Sequence, residues 1–163
     1  MMEKVLICLA LLSMTMVACV ERGSESTSTQ ESSVVVTIGH EAGKSWTDGE
    51  VGYLASPVNA ATYKQTTVLV LSDVIAKGKE VTVLPLGVAV LEEQGNTNHY
   101  VVAVPANHED QSLMISSFEE LITKYSSAKW IIEQYLLSRN GMGSAKLVTW
   151  HDQDYVVTKL WKD

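Results

Sequence analysis

Glu80-Val-Thr-Val-Leu-Pro-Leu-Gly-Val-Ala-Val-Leu91 runs into Glu92-Glu93-Gln94-Gly95-Asn96 and then into Tyr100-Val-Val-Ala-Val-Pro105, and the fold hangs on this stretch. It is long and β-branched, which suits a strand. Pro85 and Gly87 interrupt a run too long for an ordinary strand and mark a bend or bulge. Gln94-Gly95-Asn96 is a hairpin turn, so Tyr100–Pro105 is the returning strand. Upstream, Lys77-Gly78-Lys79 is a turn and Val68-Leu-Val-Leu71 a shorter strand. Val34-Val-Val-Thr-Ile38 is another strand, and Gly52-Tyr53-Leu54 a further short apolar run.

Downstream the period changes. Ser117-Phe-Glu-Glu120 has the pattern of a capping box, and Phe118, Leu121, Ile122 and Tyr125 follow at helical spacing. Ser127 to Arg139 is expected to be the longest helix, with Trp130, Ile131, Tyr135 and Leu136 roughly on one face and Asn140-Gly141 as its stop. Lys146-Leu-Val-Thr-Trp150 is a short strand, and Asp152 caps a last helix carrying Val156, Val157, Leu160 and Trp161. Strands first and helices afterwards define an α+β domain, a small barrel or curled sheet with helices packed outside it.

The 163 residues are 46% apolar, enough for one core. With 12 Lys+Arg against 19 Asp+Glu, the net charge of −7 argues against a nucleic-acid surface, which needs a basic stripe. The cysteines Cys8 and Cys19 are too few for a disulfide framework or a cysteine-based zinc site.

The first residues give an address. Val5 to Val17 is an apolar run broken only by Ser13 and Thr15. As a helix at ~1.5 Å per residue it reaches roughly 20 Å, short of a ~30 Å hydrocarbon layer, so it reads as the core of a signal peptide. Met16-Val17-Ala18-Cys19 resembles a bacterial lipobox. By that resemblance residues 1–18 are removed and Cys19 carries the lipid, a membrane anchor in the bacterial cell envelope facing the periplasm or the exterior. Residues 19–33 are Ser/Thr/Glu-rich and form a disordered tether, leaving 34–163 as the folded domain.

From Val68 to Trp150 the order of landmarks resembles the soluble inorganic pyrophosphatases of the first family. The carriers are Val-Leu-Val-Leu71, the Lys-Gly-Lys79 turn, Leu-Pro-Leu-Gly-Val88, Glu-Glu-Gln-Gly95, Val-Val-Ala-Val-Pro105, Phe-Glu-Glu-Leu121, Gly-Met-Gly143 and Lys-Leu-Val-Thr-Trp-His-Asp152. The resemblance implies a five-stranded barrel of the oligonucleotide-binding (OB) type with flanking C-terminal helices, and an ancestral magnesium-dependent splitting of pyrophosphate.

That chemistry needs divalent ions to neutralise a polyanion and acidify a water, hence a site dense in Asp and Glu. The family carries an Asp-Gly-Asp-x-x-Asp motif before the Val-Leu-Val strand. The matching positions here are Thr62, Lys64 and Thr67, with no aspartate among them. In the second acidic motif Glu93 matches the first aspartate, Asn98 stands for the later aspartate and Tyr100 for a lysine. Arg139-Asn140 replaces a Tyr-Lys pair that grips phosphate. The resemblance leaves Glu92 and Glu93 as candidate metal ligands, Arg139 as a candidate phosphate contact, and no confident catalytic residue. Lys44 is the nearest match to the family's amino-terminal phosphate-binding cations.

Other clusters are weaker. Gly39-His-Glu-Ala-Gly43-Lys44-Ser45 is one residue short of a phosphate-binding loop. His108-Glu109-Asp110 lacks zinc-motif spacing, and Asp152-Gln-Asp154 beside His151 is better explained by helix capping. The expected function is therefore a membrane-tethered, pyrophosphatase-like lipoprotein with diphosphate hydrolysis lost or strongly reduced, acting as a binding or interaction module. The alternative is a divergent, active magnesium-dependent diphosphatase using Glu92, Glu93 and further acids that the motifs do not reveal. A third, an anion- or nucleic-acid-binding barrel, is disfavoured by the charge of −7.

Overall fold

The structure, a computed structural model, describes residues 32–40, 58–72 and 74–163. Residues 1–18, expected to be a signal peptide, Cys19, nearly all of the expected tether 19–33, Lys44 and Gly52-Tyr53-Leu54 lie outside the described residues. The strands are β1 (Val34–His40), β2 (Val58–Tyr63), β3 (Thr66–Leu71), β4 (Glu80–Glu93), β5 (Asn96–Pro105) and β6 (Ala145–Asp152). They lie in the order β1-β2-β3-β5-β4-β6, and β1 also pairs with β4, so the first five close into a ring. This is the expected five-stranded OB-type barrel, with β6 added as a sixth strand on its outside edge.

The length of β4 makes the closure possible. Its first residues, Glu80 to Val83, pair with β1, whereas Gly87 to Glu93 pair with β6. β5 runs antiparallel along the other edge of both halves. The changeover falls at Pro85-Leu86-Gly87, where the register with β5 slips by one residue. Proline cannot donate to a neighbour, and the extra residue of a bulge bends the strand toward a new partner. β2 was not expected from the sequence, because Asn59, Ala60 and Ala61 carry little strand propensity; its pairing with β3 holds it extended. Both connecting turns put two successive residues at positive φ, Lys64 and Gln65 at 44° and 64°, and Gln94 and Gly95 at 52° and 81°. Such turns match the right-handed twist of the flanking strands.

Alternation along the strands makes two cores. Val36, Ile38, Val68, Val70, Val83, Val88, Val101 and Ala103 form one cluster drawn from the ring, the barrel interior, joined by Val156 and Trp161. Leu69, Leu71, Leu91, Tyr100 and Val102 face outward and pack against the helices α1 (Phe118–Thr123) and α2 (Ser126–Ser138) through Leu121, Ile132 and Leu136. Gly87 is required there. A Cβ on it would lie 2.7 Å from the His151 carbonyl oxygen and 2.7 Å from Phe118 Cδ2.

Two local expectations need correction. The buried stripe of α2 is Ala128, Ile132 and Leu136, whereas Trp130 and Tyr135 are 46% and 39% exposed. Apolar residues occur nearly all round this helix, and one narrow i, i+4 ridge meets the sheet. At α1, Ser117 Oγ accepts the Glu120 N–H at 3.2 Å, as a capping box requires. The return arm is displaced by one residue: the Glu120 carboxylate accepts from the N–H and hydroxyl of Ser116, both at 2.8 Å. Asp152 caps α3 (Gln153–Tyr155), accepting the Tyr155 N–H at 3.2 Å. The chain continues as a π-helical turn, Val156–Leu160, and delivers Trp161 against Tyr63 with ring centroids 5.1 Å apart.

Candidate functional site

The outer face of the barrel carries a row of facing positions. Thr62 lies opposite Thr67, Thr67 opposite Tyr100, Tyr100 opposite Ala89, and Ala89 opposite Trp150. Leu91 lies opposite Asn98 and Glu93 opposite Asn96, so Glu93, Asn98 and Tyr100 share that face across the β4–β5 hairpin. The end of α2 packs over it and supplies Arg139 and Asn140.

These side chains converge. The Glu93 carboxylate accepts from Asn98 Nδ2 at 2.6 Å and from the Tyr100 hydroxyl on one oxygen. On the other it accepts from Arg139 Nη2 and Asn140 Nδ2, both at 3.2 Å. Arg139 Nη2 also donates to the Tyr100 oxygen, and its guanidinium carbon sits 4.2 Å from the Tyr100 ring centroid. Glu93 is only 7% exposed. Burial pushes its carboxyl pKa up, but the bonds from Tyr100 and Asn98 and the charge of Arg139 outweigh that, leaving it below the ordinary value. Burial and the neighbouring carboxylate push the Tyr100 hydroxyl up to about 12, so it stays a proton donor at neutral pH.

Of the positions read from sequence, then, Glu93, Asn98, Tyr100, Arg139 and Asn140 assemble. The others do not join them. Glu92 is exposed and, as Glu93's neighbour in the strand, points to the opposite face. Thr62 is exposed and Thr67 half-buried. The Lys64 ammonium bonds to the Trp161 carbonyl at 2.9 Å and pairs with the Asp163 carboxylate.

Magnesium takes near-octahedral oxygen ligation, usually through carboxylates and water. This pocket holds one carboxylate, both of whose oxygens already accept N–H or O–H bonds, so the residues present do not fit the ion. Among the described residues no group of three or more His, Cys, Asp or Glu is placed to hold a metal.

The remaining clusters have local explanations. His108–Asp110 is a short exposed 3-10 turn capped by Asn107. Gly39 and His40 end β1, and the rest of that loop lies outside the described residues. Sequence reasoning missed one aromatic group: the rings of His151 and Tyr155 stack with centroids 4.0 Å apart, and His99 lies parallel to Tyr155 at 6.4 Å. Burial and the proximity of His151 hold His99 below its ordinary pKa. The available signal was positional: β5 and β6 flank β4, and these histidines face Val90 and Val88.

The fold is similar to that of solved inorganic pyrophosphatases. It resembles the inorganic pyrophosphatase of Neisseria gonorrhoeae with a TM-score of 0.59 at 14% identity, over 81% of this chain and 89% of that one. The Thermus thermophilus inorganic pyrophosphatase gives 0.56 at 15% identity over 82% and 90%. That of Helicobacter pylori gives 0.55 at 17% identity over 79% and 89%. No protein-family model and no curated protein sequence matches the chain. At such identities the likeness is one of fold, and function rests on the site.

Proposed function

We propose that this chain is a membrane-tethered lipoprotein whose pyrophosphatase-like domain has lost or strongly reduced diphosphate hydrolysis and serves as a binding or interaction module in the bacterial cell envelope. One observation carries the loss of hydrolysis. The positions matching the family's central aspartates hold Thr62, Lys64 and Thr67, and Lys64 is committed to Trp161 and Asp163. A threonine can accept a hydrogen bond but supplies no charge to draw a divalent ion, and a lysine repels one. The tether is supported by the short apolar run that ends in Met16-Val17-Ala18-Cys19.

The test is phosphate release from pyrophosphate by the full chain in detergent with excess magnesium, beside a Thr62→Asp/Lys64→Asp/Thr67→Asp variant. The native chain should release little or none, and any gain in the variant would locate the ancestral site. Clear magnesium-dependent turnover by the native chain would return the reading to an active diphosphatase. Lipidation is checked separately by mass spectrometry of the mature amino terminus, with Cys19→Ser as the control.

A further inference from the structure

We propose that Arg139 is the built-in counter-cation of Glu93: its guanidinium neutralises the buried carboxylate, so the pocket assembles and stays closed without a divalent metal ion. This deepens the reading above, but it is tested on stability rather than turnover, so either can fail alone.

The argument starts from Glu93. A carboxylate only 7% exposed cannot rely on water and must find a positive charge or lose its own. Where a metal would need several acids, this pocket offers one, and a cation arrives on the protein itself. Arg139 Nη2 lies 3.2 Å and 3.4 Å from the two carboxylate oxygens. Its position is fixed from three sides. Its backbone N–H bonds to the Tyr135 carbonyl at 3.1 Å, continuing the last turn of α2, where a cation is favoured by the helix dipole. The flat guanidinium lies over the Tyr100 ring, a contact that a hydrated magnesium ion could not reproduce. The Tyr100 hydroxyl is held between the two charges, accepting from Arg139 and donating to Glu93.

Asn98 and Asn140 complete the shell with neutral donors, so no second acid competes for the guanidinium within the group. A magnesium ion entering here would have to displace these donors and sit beside a fixed positive charge. Tyrosine at 100 and arginine at 139 thus depend on each other: one supplies the platform, the other the charge.

The experiment is thermal unfolding of the full chain in detergent, in magnesium and in EDTA, for the native protein, Arg139→Ala, Arg139→Lys, Glu93→Gln and Glu93→Gln/Arg139→Ala. The native melting temperature should be the same in magnesium and EDTA to within ~1 °C, since an ion that does not bind cannot stabilise. Arg139→Ala should lower it by on the order of 10 °C, and by much less in the Glu93→Gln background. Low-millimolar guanidinium chloride, against equal sodium chloride, should raise Arg139→Ala and leave the double variant unchanged. If Arg139→Ala does not fold, the double variant and Arg139→Lys must do so. Magnesium stabilisation of the native chain would overturn the proposal. So would additive effects of the two substitutions, absence of guanidinium rescue in a folded Arg139→Ala, or failure of both fallback variants to fold.

Discussion

The Lys64 ammonium donates to the carbonyl oxygen of Trp161 at 2.9 Å, tying the β2–β3 turn to the segment that follows α3. The same segment returns a bond to the hairpin, from Trp161 Nε1 to Thr66 Oγ1 at 3.2 Å, and its indole meets the Tyr63 ring edge-on. The turn that the resemblance would equip with acids is instead a latch for the chain's last residues. Lys64→Asp should therefore lower the melting temperature by setting like charge against Asp163 and leaving the carbonyl without its donor. Added salt should shrink the difference, because the pair is exposed.

Truncating the true contact ridge of α2 tests its orientation. Ile132→Ala removes a side chain with no exposed surface and should cost about 2–5 kcal/mol in urea unfolding. Tyr135→Ala, on the exposed side, should cost about 1 kcal/mol or less. The reverse order would put the helix the other way round.

Gly87→Ala should destabilise by about 1–3 kcal/mol, since its Cβ would meet a β6 carbonyl and the Phe118 ring. Phe118→Leu in the same chain should recover only part of the loss, because the carbonyl of His151 cannot move aside without disturbing the β4–β6 ladder. Equilibrium unfolding of the single and double variants measures both.

The pH dependence has a definite sign. The folded-state pKa of Glu93 lies below its unfolded value, so its contribution is fully present above the unfolded pKa and is lost as pH falls through the folded one. Native stability should fall more steeply over that acid range than stability of Glu93→Gln, which has no such group. Urea midpoints measured down through the carboxylate range would show it, and parallel curves would contradict the buried ion pair.

Tyr100→Phe keeps the ring under Arg139 and removes only the hydroxyl. The loss should be about 1–3 kcal/mol, because a donor to the buried Glu93 carboxylate disappears with nothing to replace it. Calorimetric or urea unfolding beside the native chain gives the number.

Much of this was legible in the chain. The long β4, its break at Pro85 and Gly87, the Gln94-Gly95 turn and the return through Val101 to Pro105 are local signals. They depend on backbone restriction and side-chain shape within a few residues. Helix caps at Ser117 and Asp152 were readable for the same reason, as each satisfies amides within the next turn. β2 was not, because Asn59-Ala60-Ala61 is extended by its neighbour β3 rather than by preference. The buried ridge of α2 is not legible in the chain, because the sequence offers more apolar positions than the sheet can cover.

At the candidate site the split is sharper. The sequence alone determined that positions 62, 64 and 67 carry Thr, Lys and Thr and no acid, since charge is a property of the residue and needs no fold to be counted. It also determined the barrel's long bent strand and the apolar run before Cys19. Only the tertiary structure decided that Glu93 and Arg139, 46 residues apart, form one ion pair over the Tyr100 ring, while Glu92 is turned away. The reason is geometric. Adjacent residues of a strand point to opposite faces, and a helix laid across one of those faces chooses which carboxylate receives its cation.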